Sequence, residues 1–126
     1  MSAVESQLPR LQSEFRNADL TPQSNGSVLV TVRDVALPQG LWSKNTTTIY
    51  FLAPVGYPMA RPDCFWTDPD LRLASGAPPQ NTGQQTPPFD TQPKLWFSWH
   101  PSSWSANRDD LLTYTRLIQE RLKRAE

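Results

Sequence analysis

The sequence of 126 residues has few of the residue types that many catalytic and binding sites require. It contains one cysteine, Cys64, and one histidine, His100. This excludes an internal disulfide and leaves too few ligands for a zinc site built from cysteine and histidine. The five glycines form neither a phosphate-binding loop nor a nucleophile elbow. The sequence therefore predicts no bound metal, nucleotide or other cofactor.

Excess charge of one sign and long apolar runs are also missing. Twelve basic residues balance 12 acidic ones, which argues against binding to nucleic acid or a membrane surface by long-range attraction. No apolar run approaches the roughly 20 residues of a transmembrane helix. The first residues, MSAVESQLPRL, lack the basic start and apolar stretch of a signal peptide. With one unpaired cysteine, we expect a cytoplasmic protein without a nucleic-acid or membrane partner.

Hydrophobic periodicity predicts a single α+β domain over residues 1–126. An N-terminal helix within Val4–Arg16 is expected to start near Ser6 or Gln7, because Pro9 is tolerated only in a first helical turn. Strands are predicted at Ser27–Val35, Thr46–Leu52 and Cys64–Thr67, with Leu95–Trp99 as a further strand or an extended stretch. Asn107 is the predicted N-cap of a C-terminal helix.

Between the third strand and the last one, residues 68–94 are rich in proline, glutamine and threonine and show no periodicity. A loop of this length inside a compact domain is usually functional or mobile. The resulting architecture is an N-terminal helix, a four-stranded antiparallel meander, a long flap and a C-terminal helix.

The segment from Trp96 to Asp110, WFSWHPSSWSANRDD, contains three of the five tryptophans and the only histidine. Ser98 and His100 are two positions apart, so they face the same side of an extended chain. An imidazole with a pKa near 6.5 can accept a hydroxyl proton at neutral pH, which makes the pair a candidate for nucleophilic catalysis. The alternative interpretation is an aromatic core segment in which these two side chains have no chemical role.

A series of motifs resembles the ubiquitin-conjugating enzyme family, and more closely a prokaryotic branch of it. The motifs, in chain order, are Tyr57-Pro58, Phe65–Leu73 (FWTDPDLRL), Trp96–His100 (WFSWH), and Arg108–Leu111 (RDDL) at a helix start. The resemblance covers roughly residues 25–122. It implies the ubiquitin-conjugating-enzyme-like fold, with residues 74–94 as a flap near the active site.

The chain departs from the wider family at the nucleophile. The family uses a cysteine in the flap, and no cysteine follows Cys64 in this chain. Cys64 lies where the family buries an apolar side chain, so we expect it in the core. The resemblance places Ser98 near the position of the missing cysteine. This implies an oxyester on Ser98 in place of a thioester, with His100 as base.

Other residues remain candidates for parts of this site. A carboxylate that orients His100 could come from Asp90, Asp109 or Asp110, and an amide such as that of Asn81 could polarise the reacting carbonyl. Pro87–Lys94 is expected to hold the extended tail of the incoming protein. Further candidate nucleophiles are Ser102 and Ser103.

The resemblance also implies partners. They are a ubiquitin-like or multi-ubiquitin-like protein and an ATP-dependent activating enzyme, with a deconjugating peptidase as a further candidate. The favoured function is a conjugating transferase. The alternatives are an inactive scaffold that binds the ubiquitin-like protein or the activating enzyme, and an unrelated tryptophan-rich module that binds peptides.

Overall fold

The computed structural model describes residues 2–126, which form two helices and six strands. In chain order these are α1 (Ala3–Glu14), β1 (Ala18–Pro22), β2 (Val28–Ala36), β3 (Thr46–Ala53), β4 (Phe65–Thr67), β5 (Thr82–Gln85), β6 (Lys94–Phe97) and α2 (Leu111–Lys123). The six strands form one antiparallel sheet in the order β1-β2-β3-β4-β6-β5. The α+β class and the two terminal helices are confirmed, and the architecture is compatible with the ubiquitin-conjugating-like fold.

The prediction of a four-stranded sheet is wrong, because the sheet has six strands. β1 pairs with β2 across Ala18–Val32, and β5 pairs with β6 across Thr82–Phe97. The two strands that were not predicted, β1 and β5, lie at the edges of the sheet. An edge strand is paired with a neighbouring strand on one side only. β5, TGQQ, has no buried residue, so it shows none of the apolar alternation on which strand prediction depends.

The first helix begins earlier than predicted. Ser2 caps it by accepting a hydrogen bond from the Glu5 N–H, and Pro9 lies inside the helix rather than in its first turn. Proline has no N–H, so one carbonyl in the preceding turn of the helix lacks its usual donor. Pro9 is exposed, so this carbonyl is on the side of the helix that faces water. Val4 and Leu11 are buried, and Leu8 and Phe15 pack against the core, so one face of the helix is apolar.

The N-cap of α2 is Asp110, and the prediction of Asn107 is wrong. The Asp110 carboxylate accepts from the Thr113 N–H, while the Thr113 hydroxyl accepts from the Asp110 N–H. Upstream, the N–H groups of Arg108 and Asp109 both donate to the Ser105 carbonyl. This turn occupies the chain up to Asp109 and delays the helix by three residues relative to the prediction.

Both helices contribute to one hydrophobic core with the inner face of the sheet. Phe51 of β3 and Tyr114 of α2 have ring centroids 4.9 Å apart, and Phe65 stacks on Phe97 at 4.5 Å. Val30 is fully buried beside them. These contacts fix the position of β4 and β6, the two strands next to the candidate site. Within residues 2–126, neither helix has the length and apolar content needed to cross a bilayer.

Candidate functional site

Ser98 and His100 lie in the extended segment that directly follows β6. Phe97 is buried against Phe65, and Trp99 packs edge-on against both Phe65 and Tyr114. Ser98 and His100 alternate with these two core aromatics and are exposed. The alternation directs both polar side chains to the same side of the segment, away from the core. No hydrogen bond joins the Ser98 hydroxyl to His100 in the described part of the chain.

Backbone hydrogen bonds hold this segment on both sides. The Ser98 N–H donates to the Asn81 carbonyl at 2.8 Å, which extends the β5–β6 pairing by one residue. On the other side, the Cys64 N–H donates to the Trp99 carbonyl at 2.7 Å. Asn81 and Cys64 both have left-handed backbones, with φ of 59° each. Ser98 therefore lies between two conformationally unusual residues that mark where the neighbouring strands begin.

A third anchor lies beyond His100. The Arg61 guanidinium donates through Nη1 to the Pro101 carbonyl at 2.9 Å. The loop before β4 is thus joined to the segment after β6 at two points, one on each side of His100. Between these points, Asp63 Oδ1 lies 3.9 Å from His100 Nδ1, and both side chains are 63% exposed.

Asp63 was missed at the sequence level, and the three proposed carboxylates have other contacts. Asp90 forms an ion pair with Lys94 in the flap, and Asp109 accepts a hydrogen bond from the Ser105 N–H. Asp110 caps α2 and pairs with Arg10. None of the three is in ion-pair contact with His100 within residues 2–126.

Cys64 is only partly buried, so the expectation of a core cysteine is wrong. Its left-handed backbone turns the residue out of line with β4, which begins at Phe65. Desolvation by burial raises the pKa of the Cys64 thiol, and hydrogen bonding from Trp99 and Trp96 offsets this only in part. A raised pKa keeps the thiol protonated at neutral pH, which lowers its reactivity as a nucleophile.

The range predicted as a flap, residues 74–94, contains β5, and the loop between β5 and β6 covers part of the outer sheet face, opposite the helices. Phe89 stacks on Tyr50 with centroids 5.8 Å apart and meets Trp66 edge-on at 5.1 Å. The Lys94 ammonium lies 4.4 Å from the Tyr50 ring centroid and pairs with Asp90, which lowers the pKa of that carboxyl. Buried beneath this layer, the Trp66 Nε1–H has no hydrogen-bond partner among residues 2–126.

The remaining serine candidates are also exposed. Ser102 and Ser103 follow the buried Pro101, and Trp104 then packs against Tyr114 and donates through Nε1 to the Pro58 carbonyl. The tryptophans thus serve mainly as packing residues in this part of the chain. Within residues 2–126, no group of three or more histidine, cysteine, aspartate or glutamate side chains is arranged to hold a metal ion.

Comparison with known proteins identifies the family. The chain matches the family described as prokaryotic E2 family E over residues 12–125, a range that includes every residue of the candidate site. Searches among curated proteins and among solved structures give no match. The family match confirms the resemblance inferred from the sequence motifs. The chain therefore belongs to the prokaryotic E2 family E.

Proposed function

We propose that this protein accepts a ubiquitin-like protein from an ATP-dependent activating enzyme and transfers it onward through an ester on Ser98. Membership of a prokaryotic E2 family supports the general role in conjugating a ubiquitin-like protein. The observation that carries the choice of residue is the exposure of Ser98 and His100 on a segment whose backbone is fixed on both flanks. Cys64, the only thiol, is partly buried and has a raised pKa.

In the first step, the activating enzyme delivers the C-terminal carboxyl of the ubiquitin-like protein as an activated acyl group. The Ser98 Oγ attacks the acyl carbon, and its proton passes to His100. The new C–O bond replaces the bond to the carrier, and the leaving group of the carrier takes the proton from His100. The serine now holds the acyl group as an oxyester.

In the second step, an acceptor amine attacks the ester carbonyl. A C–N bond forms and the C–Oγ bond breaks, while His100 takes a proton from the amine and returns one to the Ser98 oxygen. An oxyester is less activated towards amines than a thioester is. The second step therefore depends more strongly on proton transfer by residues of the site. This chain supplies no nucleotide and no metal in either step.

The flap supports the proposal as the holder of the incoming tail. Pro87–Lys94 leads directly into β6, and the Asp90–Lys94 ion pair and the contacts of Phe89 fix it on the outer face of the sheet. Asn81 is in direct backbone contact with Ser98. Its exposed side-chain amide is the candidate for polarising the reacting carbonyl.

The test is a reconstitution with the activating enzyme, the ubiquitin-like protein and ATP. We expect a covalent adduct that survives thiol reductant and is cleaved by mild alkali. Ser98→Ala should abolish it, Ser98→Cys should give an adduct cleaved by thiols, and Cys64→Ala should leave it intact. An adduct that persists in Ser98→Ala and is absent in Cys64→Ala would assign the nucleophile to the cysteine.

A catalytically inactive scaffold is the second candidate, because the chain lacks the flap cysteine of the wider ubiquitin-conjugating enzyme family, and because the Ser98 hydroxyl has no hydrogen bond to a base within residues 2–126. In this role the protein would bind the ubiquitin-like protein or the activating enzyme without forming a covalent bond. The same reconstitution separates the two functions. Stable binding to either partner without an adduct at any pH would favour the scaffold.

A further inference from the structure

We propose that Asp63 is a positioning residue for His100, and that it holds the imidazole with Nε2 directed to the reacting atoms. This inference rests on the proposed function of Ser98 and His100. It does not follow from chain spacing, because Asp63 and His100 are on different segments and meet only in the folded protein.

The two segments are held together on both sides of this pair. The Arg61–Pro101 hydrogen bond lies on one side and the Cys64–Trp99 hydrogen bond on the other. The Cys64 carbonyl is fixed in addition by the Tyr114 hydroxyl at 2.9 Å. The backbones that carry Asp63 and His100 therefore have little freedom to separate, which keeps the two side chains next to each other.

The geometry favours one tautomer of His100. The Asp63 Oδ1 atom lies 3.9 Å from His100 Nδ1, which is within ion-pair distance but longer than a hydrogen bond. A carboxylate at Nδ1 stabilises the tautomer with the proton on that nitrogen, which leaves the Nε2 lone pair free to act as a base. It also stabilises the imidazolium that forms when His100 takes the serine proton.

The charged and titratable groups on the facing segment are Arg61, Asp63 and Cys64. Arg61 is bonded to a carbonyl and would disfavour the imidazolium, and the Cys64 thiol is neutral at physiological pH. Asp63 is the one carboxylate of the three. Its removal should therefore reduce the share of the Nδ1–H tautomer.

The pair can be measured without any partner protein. His100 is the only histidine, so its imidazole signals in NMR spectra are assigned without ambiguity in a protein that carries no histidine tag. We expect Asp63→Asn to reduce the share of the Nδ1–H tautomer of His100, which the ring nitrogen shifts of the neutral imidazole report. Asp63→Glu should restore it, and Asp19→Asn, which removes a carboxylate on β1 that pairs with Arg33, is the matched control that should not change it.

The second readout is the rate of adduct formation on Ser98. In Asp63→Asn the maximum rate should fall about 3- to 10-fold, and Asp63→Glu should recover it in part. If Asp63→Asn leaves the tautomer of His100 unchanged, or changes it without affecting the rate, the inference is wrong. If the wild-type protein forms no adduct, the proposed function fails, and the NMR measurement of the tautomer then decides the Asp63–His100 contact alone.

Discussion

Replacing Tyr114 by phenylalanine removes one hydroxyl from the centre of the molecule and leaves the ring in place. Tyr114 is fully buried, and its hydroxyl donates to the Cys64 carbonyl at 2.9 Å. The ring contacts with Phe51, Trp99 and Trp104 do not involve the hydroxyl, so the packing is unaffected. The variant therefore isolates the single hydrogen bond between α2 and the loop before β4.

The expected loss of stability follows from the Cys64 carbonyl, which is left without its hydrogen-bond donor. A net hydrogen bond contributes about 1 kcal/mol, and a buried acceptor left unsatisfied costs about 1–3 kcal/mol. We expect Tyr114→Phe to lower the free energy of unfolding by about 1–2 kcal/mol. Urea denaturation followed by tryptophan fluorescence measures it, and the slope with urea concentration should not change.

Tyr50→Phe is the matched control, because the Tyr50 hydroxyl has no hydrogen bond to another residue in the described part of the chain while its ring packs on Phe89. Its effect should stay within about 0.5 kcal/mol, as for most surface substitutions. Equal losses in Tyr114→Phe and the control would refute the reasoning, because the Cys64 carbonyl would then not depend on the Tyr114 hydroxyl.

Three further predictions concern reactivity, acid stability and the flap. Since burial raises the pKa of Cys64, its alkylation near neutral pH should be slower than that of a free thiol. In urea the rate should reach that of the free thiol. A folded protein that is alkylated as fast as a free thiol would contradict this. Because hydrogen bonding to Arg116 lowers the pKa of Glu14, the ion pair stabilises the fold at neutral pH and this contribution is lost as the pH falls through that lowered pKa. Glu14→Gln should therefore be less stable than the wild type at neutral pH and equal to it in acid, and a difference in urea midpoint that persists in acid would contradict this. Phe89→Ala removes the edge contact to Trp66, so it should cost about 1 kcal/mol and shift tryptophan emission to the red; unchanged emission would show that the flap does not cover Trp66.

The parts of the fold that could be predicted are those in which the pattern is local. β2 and β3 were predicted to within one residue at all four ends, because β2 shows alternation along the chain and β3 is rich in β-branched and aromatic residues. In β2, Val30 and Val32 are buried, and so are Leu29 and Thr31, which alternate with them. The strand is covered on both faces, and a covering layer cannot be inferred from the strand's own sequence.

The parts that could not be predicted depend on a choice between two possible helix caps, or on contacts between segments that are distant along the chain. Asn107 and Asp110 are both good helix caps by residue type, and the choice between them follows from the turn at Ser105, a local hydrogen-bond geometry that composition does not determine. β5 forms because β6 offers it a partner, despite its polar sequence.

The same distinction applies to the candidate site. The exposure of Ser98 and His100 on one side of the chain follows from their spacing in an extended segment, which sequence reasoning can use. The position of Asp63 beside His100 and the left-handed backbone of Cys64 follow from pairing between β4 and β6. Sequence reasoning offered three carboxylates with no means of choosing among them, and the contacts of all three lie elsewhere.

The most direct test of the Ser98 ester is mass-spectrometric mapping of the adduct formed with the activating enzyme, the ubiquitin-like protein and ATP. The adduct should be cleaved with a protease under mildly acidic conditions, because an oxyester hydrolyses in alkali. Ser98 should carry the C-terminal remnant of the ubiquitin-like protein, and fragmentation should separate it from the nearby Ser102 and Ser103. A remnant found on Cys64, on a lysine or on either of the other serines would contradict the assignment.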